Sequence, residues 1–502
     1  MSAQNTRYDE TSLPMPNAEA APAECREMLS DLFDTWHAVK GRNAELTTYY
    51  NMKNMTKDLG VSIPPQLVNV NTVVGWASKA VKVMSVRSKF DGYVLGGSTN
   101  RELDAIVRDN RLRTLYSMAA QSALTHGVAA FTVMRGRGRC PVKVRTYTAN
   151  QFAILWDKDA GRIGAGIVLA DTDGNGIATK YVMHTPDAVI TFERAGGGRD
   201  GWEWRSKVEP HKMGRPLMEP LIYDADDDRP LGHSRITPEV MGIIDKAMRD
   251  VLRMEVGAEF FTAPQRYILG ADEDLFDPAP LVGEPEDGEE GPESDDAPRR
   301  ARSVDRNMMV RAYIGSFLAL TRDENGEVPN VGQFPAGDAR NFIAVFENDA
   351  QRFSGATNVP LGQLGVLSNT YTSSDALGAA NDPLILEVEA MNARNKETME
   401  ELARMMLAVA KNVSIDELDD GLLDVQAAFQ DPSMPTIAAR ADAWTKIGAS
   451  DEQLKGTRVW YEGLGIPQTT IDRIEAEKGR QDSIGLLNQI AERLASGGET
   501  LD

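Results

Sequence analysis

The sequence predicts a protein of the α+β class, because helical and strand patterns occupy separate stretches of the chain. From Cys25 to about residue 126, apolar residues recur every three or four positions, as they do in amphipathic helices. Between residues 128 and 210 the period changes to two, and turn residues separate short apolar runs, which predicts an antiparallel sheet. Helical periodicity returns at Ile236 and dominates the rest of the chain.

The composition limits the function before any motif is considered. The chain has 502 residues, enough for two to four domains, and a formal net charge of −21. Such a chain is a poor candidate for wrapping phosphate backbones, since nucleic-acid-binding proteins usually carry a basic surface. Its two cysteines, Cys25 and Cys140, form no CxxC pair, which argues against a disulfide scaffold and a cysteine-type zinc site. No apolar run approaches the ~20 residues of a membrane span.

Residues 1–25 lack a signal-peptide pattern and are predicted to form a polar, disordered arm. Four helices are predicted after it: one over residues 25–51, one over 69–87 and two within 102–126, before the strand patterns begin. The apolar face of the first helix comprises Met28, Leu29, Leu32, Phe33, Trp36 and Val39.

Two further helices bracket a small β-rich module. The first is predicted over residues 236–259, with Thr237 as N-cap and Pro238 in the first turn, and the second over residues 338–354. Their apolar faces comprise Val240, Ile244, Ala247, Met248 and Val251 in the first, and Phe342, Val345, Phe346, Ala350 and Phe353 in the second. Between them, strand patterns flank an acidic, proline-rich stretch, 272–302, which we expect to be an exposed loop.

A polar loop and a long helix follow. The loop contains Gly362, Gly365 and the polar run 368–372, which no regular element explains. The helix is predicted to begin at Ser373 or Ser374 and to run to about residue 411, with a kink at Pro383. Its apolar positions are Leu377, Leu384, Val388, Met391, Met399, Leu402, Met406 and Val409. A strand over 423–429 and a helical tail complete the chain.

No catalytic motif is present: the sequence lacks a phosphate-binding P-loop, an HExxH motif and a GxSxG elbow. The five histidines are scattered without the spacing of metal ligands. Residues 171–176 match the opening of a calcium loop, but Val182 stands where the closing carboxylate belongs, so a hairpin turn is the better interpretation. No enzyme, cofactor or metal site is therefore predicted.

Several segments resemble the portal proteins of tailed double-stranded DNA bacteriophages, of the siphophage type found in phages of actinobacteria. They are YYNMKN (49–54), LVNVNTVVGWASKAVKVMSV (67–86) followed by a turn at residues 90–93, FSGATNVPLGQLGVLSNTYTSSDALGAANDPLILEVE (353–389), and VQAAFQDP (425–432). The order of these parts matches the family over most of the chain, from about Leu46 to Glu477.

The resemblance implies a portal fold and a role for each predicted segment. These are a wing at 26–235, stem helices at 236–260 and 337–355, a clip at 261–336 that includes the acidic insertion 272–302, a tunnel loop at 356–373, a long kinked wing helix with a strand at 374–430, and a helical crown at 431–502. It further implies that Leu367, Ser368, Asn369, Thr370, Tyr371, Thr372 and Ser373 face DNA. Docking of partners to the clip would involve Tyr267, Phe317, Asn325 and Phe334.

The family also implies partners and a location. Portal subunits form a ring of twelve at one vertex of the virion capsid, assembled in the host cytoplasm, and double-stranded DNA crosses the ring during packaging and ejection. The implied protein partners are the major capsid protein, the terminase large subunit and a head-completion or adaptor protein. An acidic or mixed lumen would confine DNA without binding it, because each phosphate contact adds salt-dependent affinity.

Two other classes of protein remain open on the sequence. One is a metal-dependent nucleic-acid-processing enzyme that uses carboxylates such as Asp171, Asp173 or those of residues 224–228. The other is a different ring-forming structural protein of the virion, such as a capsid or tail-tube subunit. The long interior helix predicted up to residue 411 argues against the second class, because those folds do not need one.

Overall fold

The computed structural model describes residues 12–53, 72–95, 101–138, 140–198, 201–262, 266–269, 330–333, 340–366, 378–433, 437–466, 470–481 and 483–484. The chain forms two compact units, Met1–Gln430 and Asp431–Asp502. The second unit begins at the residue where the predicted crown begins. Helices and strands lie in separate stretches of the first unit, which confirms the predicted α+β class.

Four helices stand where the sequence predicts them: α1 at Arg26–Tyr50, α2 at Trp76–Arg87, α3 at Arg101–Asp109 and α4 at Leu112–His126. The α1 face is buried at Leu29, Leu32, Phe33 and Trp36. This face packs against one side of a sheet, where Phe33 meets Tyr181 edge-on at 5.3 Å between ring centroids. The spacing of apolar residues therefore identified the buried side of α1 correctly.

The predicted antiparallel sheet is confirmed as two sheets. The strands are β1 at Phe90–Leu95, β2 at Val128–Arg135, β3 at Val142–Thr148, β4 at Phe152–Asp157, β5 at Arg162–Thr172, β6 at Ala178–His184, β7 at Ala188–Gly198, β8 at Gly201–Pro210 and β9 at Met218–Ile222. Strands β4 to β8 form a five-stranded antiparallel sheet in sequence order, and β3, β2 and β9 form a three-stranded sheet.

The remaining elements also follow the predicted order. They are α5 at Pro238–Thr262, β10 at Arg266–Leu269, β11 at Asn330–Gln333, α6 at Arg340–Thr357, a 3-10 turn at Leu361–Leu364, α7 at Asp382–Lys411, α8 at Asp420–Leu423, β12 at Val425–Phe429, α9 at Ile437–Ser450 and α10 at Arg458–Gly463. Thr237 caps α5 by accepting a hydrogen bond from the backbone N–H of Val240 at 3.3 Å, as predicted. Within the described residues, no helix has the length and hydrophobicity of a membrane span.

The long helix α7 differs from its prediction at its start. Pro383 lies in the first turn of a helix that begins at Asp382, and the chain turns at residues 380–381 just before it. The predicted kink at Pro383 is therefore wrong: at this position the missing N–H breaks no helical hydrogen bond. The predicted apolar positions from Leu384 to Val409 are all buried, whereas Leu377 and the predicted cap residues Ser373 and Ser374 lie outside the described residues.

Two segments predicted to be irregular are ordered by contacts from distant parts of the chain. The predicted turn at residues 90–93 is wrong, because strand β1 runs through it with an irregularity at Gly92 and pairs antiparallel with β12. Within the predicted disordered arm, Ser12 bridges to Ile177 and the side chain of Leu13 is 7% exposed. Tyr181 also donates a hydrogen bond to the carbonyl of Pro14 at 3.2 Å, so the prediction of disorder fails for residues 12–25.

Candidate functional site

One of the candidate carboxylates, Asp173, has a structural role, and two of the five histidines are buried and neutral. Residues 171 and 172 end β5, and residues 173–177 form the turn to β6, where Asp173 accepts hydrogen bonds from the backbone N–H groups of Asn175 and Ile177 at 2.9 and 2.8 Å. This confirms the hairpin interpretation. Burial lowers the pKa of His126 to about 4 and that of His184 to about 3, so both rings are neutral at pH 7. Among the described residues, no three potential ligands converge on a metal position.

The candidate site is the helix pair α5 and α6, from which the predicted tunnel loop emerges. Apolar side chains join the pair to α2: Trp76 lies 5.1 Å from Phe346 and 5.3 Å from Phe353, measured between ring centroids. Residue 235, just before α5, contacts Thr357 at the end of α6, while Lys246 contacts Asp349. The two helices are therefore antiparallel: α5 leads towards β10, and α6 follows β11.

A buried ion cluster holds α5 to α6. The Lys246 ammonium group donates to both carboxylate oxygens of Asp349, at 2.6 and 2.7 Å, and to Asp250 at 2.9 Å. Arg253 donates to the other oxygen of Asp250 at 2.9 Å. The Asp349 side chain is fully buried, whereas that of Lys246 is 37% exposed. Two carboxylates and two cations thus balance one another between the helices.

The protonation of this cluster follows from burial and hydrogen bonding. Burial raises the pKa of Asp349, although the bonds from Lys246 oppose the rise. Burial acts in the same direction on Asp250, but the hydrogen bond from Lys246, supported by that from Arg253, opposes it, and the pKa of Asp250 is lowered. Burial would lower the pKa of Lys246, yet its hydrogen bonds to the two carboxylates raise it. The ammonium group is consequently charged at neutral pH.

Arg235 anchors the base of the predicted tunnel loop. Its guanidinium donates to the carbonyl of Ala80 at 3.1 Å, to the carbonyl of Thr357, and to the carboxylate of Glu387 in the first turns of α7. The Arg235 side chain is 4% exposed. One side chain therefore joins α2, the start of α5, the end of α6 and the start of α7.

Tyr223 completes this anchor. Its hydroxyl accepts a hydrogen bond from Arg235 at 3.1 Å and donates one to Glu387 at 2.9 Å. Burial raises its pKa to about 12, with Arg235 opposing and Glu387 adding to the shift, so the phenol keeps its proton. Beyond Thr357, the side chain of Val359 is fully buried and the 3-10 turn leads to Gly365, whose φ of 82° favours glycine. Thr357 before the loop and Glu387 after it are thereby fixed to one buried point.

Most residues expected in the tunnel loop and the clip lie outside the described part of the chain. Leu367, Ser368, Asn369, Thr370, Tyr371, Thr372 and Ser373 all lie outside the described residues. Of the residues expected at the clip, Tyr267 lies in β10, opposite Gly332 of β11, whereas Phe317, Asn325 and Phe334 also lie outside them. The same holds for the acidic insertion 272–302. The pairing of β10 with β11 confirms the strand patterns on which the β-rich module was predicted.

Sequence reasoning missed the polar residues of the helix pair. Asp349 lies on the buried face of α6 but was not assigned to it, while Val345, which was assigned to that face, is 42% exposed. A charged residue one turn before Phe353, within an apolar stripe, was the available signal for a buried ion pair. The spacing of Lys246, Asp250 and Arg253 along one side of α5 was a second signal.

Comparison with known proteins identifies the family. The family model "Phage portal protein, SPP1 Gp6-like" matches residues 29–483. Two relatives named "Portal protein" are each 26% identical to this chain and cover 91% of it, with 94% of their own length matched. They come from Mycobacterium phage D29, over 493 residues, and Mycobacterium phage L5, over 494.

Among solved structures, the chain is similar to one in the neck of an empty GTA particle computed with C6 symmetry. The TM-score is 0.43 at 13% identity, over 85% of this chain and 93% of that one. A chain from the neck of the native GTA particle computed with C12 symmetry gives a TM-score of 0.41 at 13% identity and the same coverage. Since the family model spans most of the sequence, this chain belongs to the phage portal protein family of the SPP1 Gp6-like type.

Proposed function

We propose that this chain is the subunit of a ring of twelve that occupies one vertex of a phage capsid and through which DNA is packaged and ejected. Family membership supports the assignment, and the relatives are named as portal proteins. In this proposal α5 and α6 are the stem, β10 and β11 belong to the clip, and the loop after α6 faces the channel. The clip would bind the terminase large subunit and later a head-completion protein. Catalysis of packaging would belong to the terminase.

Two exposed apolar residues of α6 support the proposal of a ring. Ile343 and Val345 are 47% and 42% exposed, and they flank the buried stripe of Ala350 and Phe353 on opposite sides. Positions two apart on a helix are separated by about 200° around its axis. Exposed apolar groups on both flanks of one helix suit a ring, in which each subunit has a neighbour on either side and the two contacts differ.

Electron microscopy and mass photometry of the purified chain test this proposal. We expect rings with a central channel, and Ile343→Ser with Val345→Ser should shift the population to small oligomers. The matched control is Ile447→Ser with Val459→Ser, an exposed Ile and Val pair in the second unit. Only monomers and dimers of the unmodified chain at micromolar concentration would exclude the ring. Intact rings of the α6 variant would exclude the stem contact.

A further inference from the structure

A basic hairpin stands out in a chain of otherwise acidic character. Residues 134–145, with the sequence MRGRGRCPVKVR, contain Arg135, Arg137, Arg139, Lys143 and Arg145 and no acidic residue. The net charge of −21 does not reveal this stretch, because a sum over 502 residues does not describe the charge of a local surface. Arg139 lies outside the described residues, and the other four cations lie within them.

The hairpin ends as a two-stranded ribbon. The ladder between β2 and β9 ends at Thr132, opposite Met218, and one further bond joins the N–H of Val133 to the carbonyl of Leu217 at 3.0 Å. The pairing of β2 with β3 continues to Arg135, opposite Val142. At its tip, the backbone N–H of Gly136 donates to the carbonyl of Pro141 at 2.8 Å, and Gly138 has a φ of 69°. A Cβ at position 136 would lie 2.0 Å from the carbonyl oxygen of Cys140, so only glycine fits there. The tip is consequently narrow.

The four cations surround an open cavity of about 920 Å³. All four side chains are exposed, and within the described residues no ion pair joins any of them to a carboxylate. Two carboxylates also line the cavity, but each has its own cation: Asp109 pairs with Arg108 at 3.1 Å, and Glu209 pairs with Lys207 at 2.6 Å. The positive charge of the hairpin therefore has no internal counterion in this part of the chain.

We infer that this hairpin binds the phosphate backbone of duplex DNA. Guanidinium groups bind phosphate oxygens through two parallel hydrogen bonds, and three of the four cations are arginines. The major groove, about 12 Å wide, admits a two-stranded β-ribbon, and in this tip Arg137 stands between two glycines that add no side chains beside it. An acidic protein segment is the competing ligand, but carboxylates on a flexible chain do not require a slim ribbon. This surface is separate from the tunnel loop and adds a DNA contact outside it.

The test is fluorescence anisotropy of a labelled 20-base-pair duplex titrated with the full chain between 50 and 200 mM salt. Each phosphate contact contributes about −0.9 to the slope of log K against log salt, so four contacts give about −3.6. Lys143→Gln with Arg145→Gln should halve that slope and weaken binding about 60-fold at 100 mM salt. Arg137→Gln, at the tip and away from the strands, should lower the slope by about 0.9.

The control is Lys158→Gln with Arg162→Gln. These two exposed cations belong to the β4–β5 hairpin, where Asp157 and Asp159 lie among them, and their loss changes the net charge equally. An equal loss in the control, or no loss in the hairpin variants, would overturn the inference. Polyglutamate that competes as well as DNA at equal charge would assign the surface to acidic proteins instead. The assay needs neither rings nor packaging, so its outcome is independent of the proposed ring.

Discussion

Lys246→Met tests the ion cluster between α5 and α6. The substitution keeps most of the side-chain volume but removes the cation from Asp349, whose side chain is fully buried. Breaking a buried ion pair by removing one partner costs 3–5 kcal/mol. We expect about 3 kcal/mol, the lower end, because the Lys246 side chain is 37% exposed. That free energy corresponds to an opening of the helix pair about 150-fold more frequent than in the unmodified chain.

Hydrogen exchange measured by mass spectrometry over α6 is the assay, since it reports local opening without assuming that the whole chain unfolds at once. Protection of the α6 amides should fall by about two orders of magnitude at pH 7.5. Replacing Asp349 by Leu in the same variant should restore most of the protection, because an apolar pair of similar volume replaces a buried ion pair at little cost.

The pH dependence has a definite sign. Burial already raises the pKa of Asp349, and without Lys246 it rises further, so the folded variant binds a proton that the unfolded chain releases at neutral pH. The stability of the variant should therefore increase as the pH falls from 7.5 to 5, and its difference from the unmodified chain should narrow. A difference of the same size at both pH values would contradict the assigned role of Asp349.

Lys446→Met is the matched control. Lys446 also pairs with an aspartate one helical turn away, Asp442, at 2.7 Å, but the two side chains are 75% and 66% exposed. Exposed pairs contribute about 0–1 kcal/mol, so exchange in α9 should change less than about fivefold. Unchanged protection of α6 in Lys246→Met would refute the reasoning, since it would show that solvent compensates the buried carboxylate.

Three further predictions concern the loop and the insertion. Arg235→Lys keeps the charge but loses the fork that reaches three carbonyl and carboxylate acceptors, so exchange of residues 358–366 should rise at least tenfold while the rings persist. Asn369→Arg with Thr370→Arg should leave rings assembled and slow DNA packaging in a salt-dependent manner; a normal rate at both low and high salt would remove this loop from the channel. Deletion of residues 284–296 should leave ring formation intact, as electron microscopy can establish, because this acidic stretch has few side chains able to form a core.

Periodicity in the sequence was sufficient for most of the architecture. The buried positions of α1 and α7 follow the expected spacing, because each helix packs one broad face against a single large surface. The change to a period of two located the sheet for a similar reason, since successive residues at the start of β3 alternate between buried and exposed. Local patterns report such faces well.

The polar contacts of the candidate site could not be predicted from local patterns. Lys246 and Asp349 are separated by 103 residues, and Arg235 and Glu387 by 152, so no window of sequence contains both partners. Pro383 shows a different limit: the same residue kinks a helix interior or begins a helix, and the turn just before it decides between the two. Val345 was wrongly assigned to the buried face of α6, because its spacing from the other apolar residues places it only at the margin of that face.

The pairing of β1 with β12 has a consequence for synthesis of the chain. Gln430, at the end of β12, contacts Asp91 in β1 across 339 residues of sequence. At 5–20 residues per second, a ribosome needs about 17–70 s to make that interval. During this time β1 has no strand to pair with, because β12 is its one partner among the described strands, and Phe90 and Tyr93 lack their contacts with Phe429 and with the carbonyl of Met399. Slower translation between the two strands would lengthen the time for which β1 is unpaired. A chain truncated before Val425 would never form this pair.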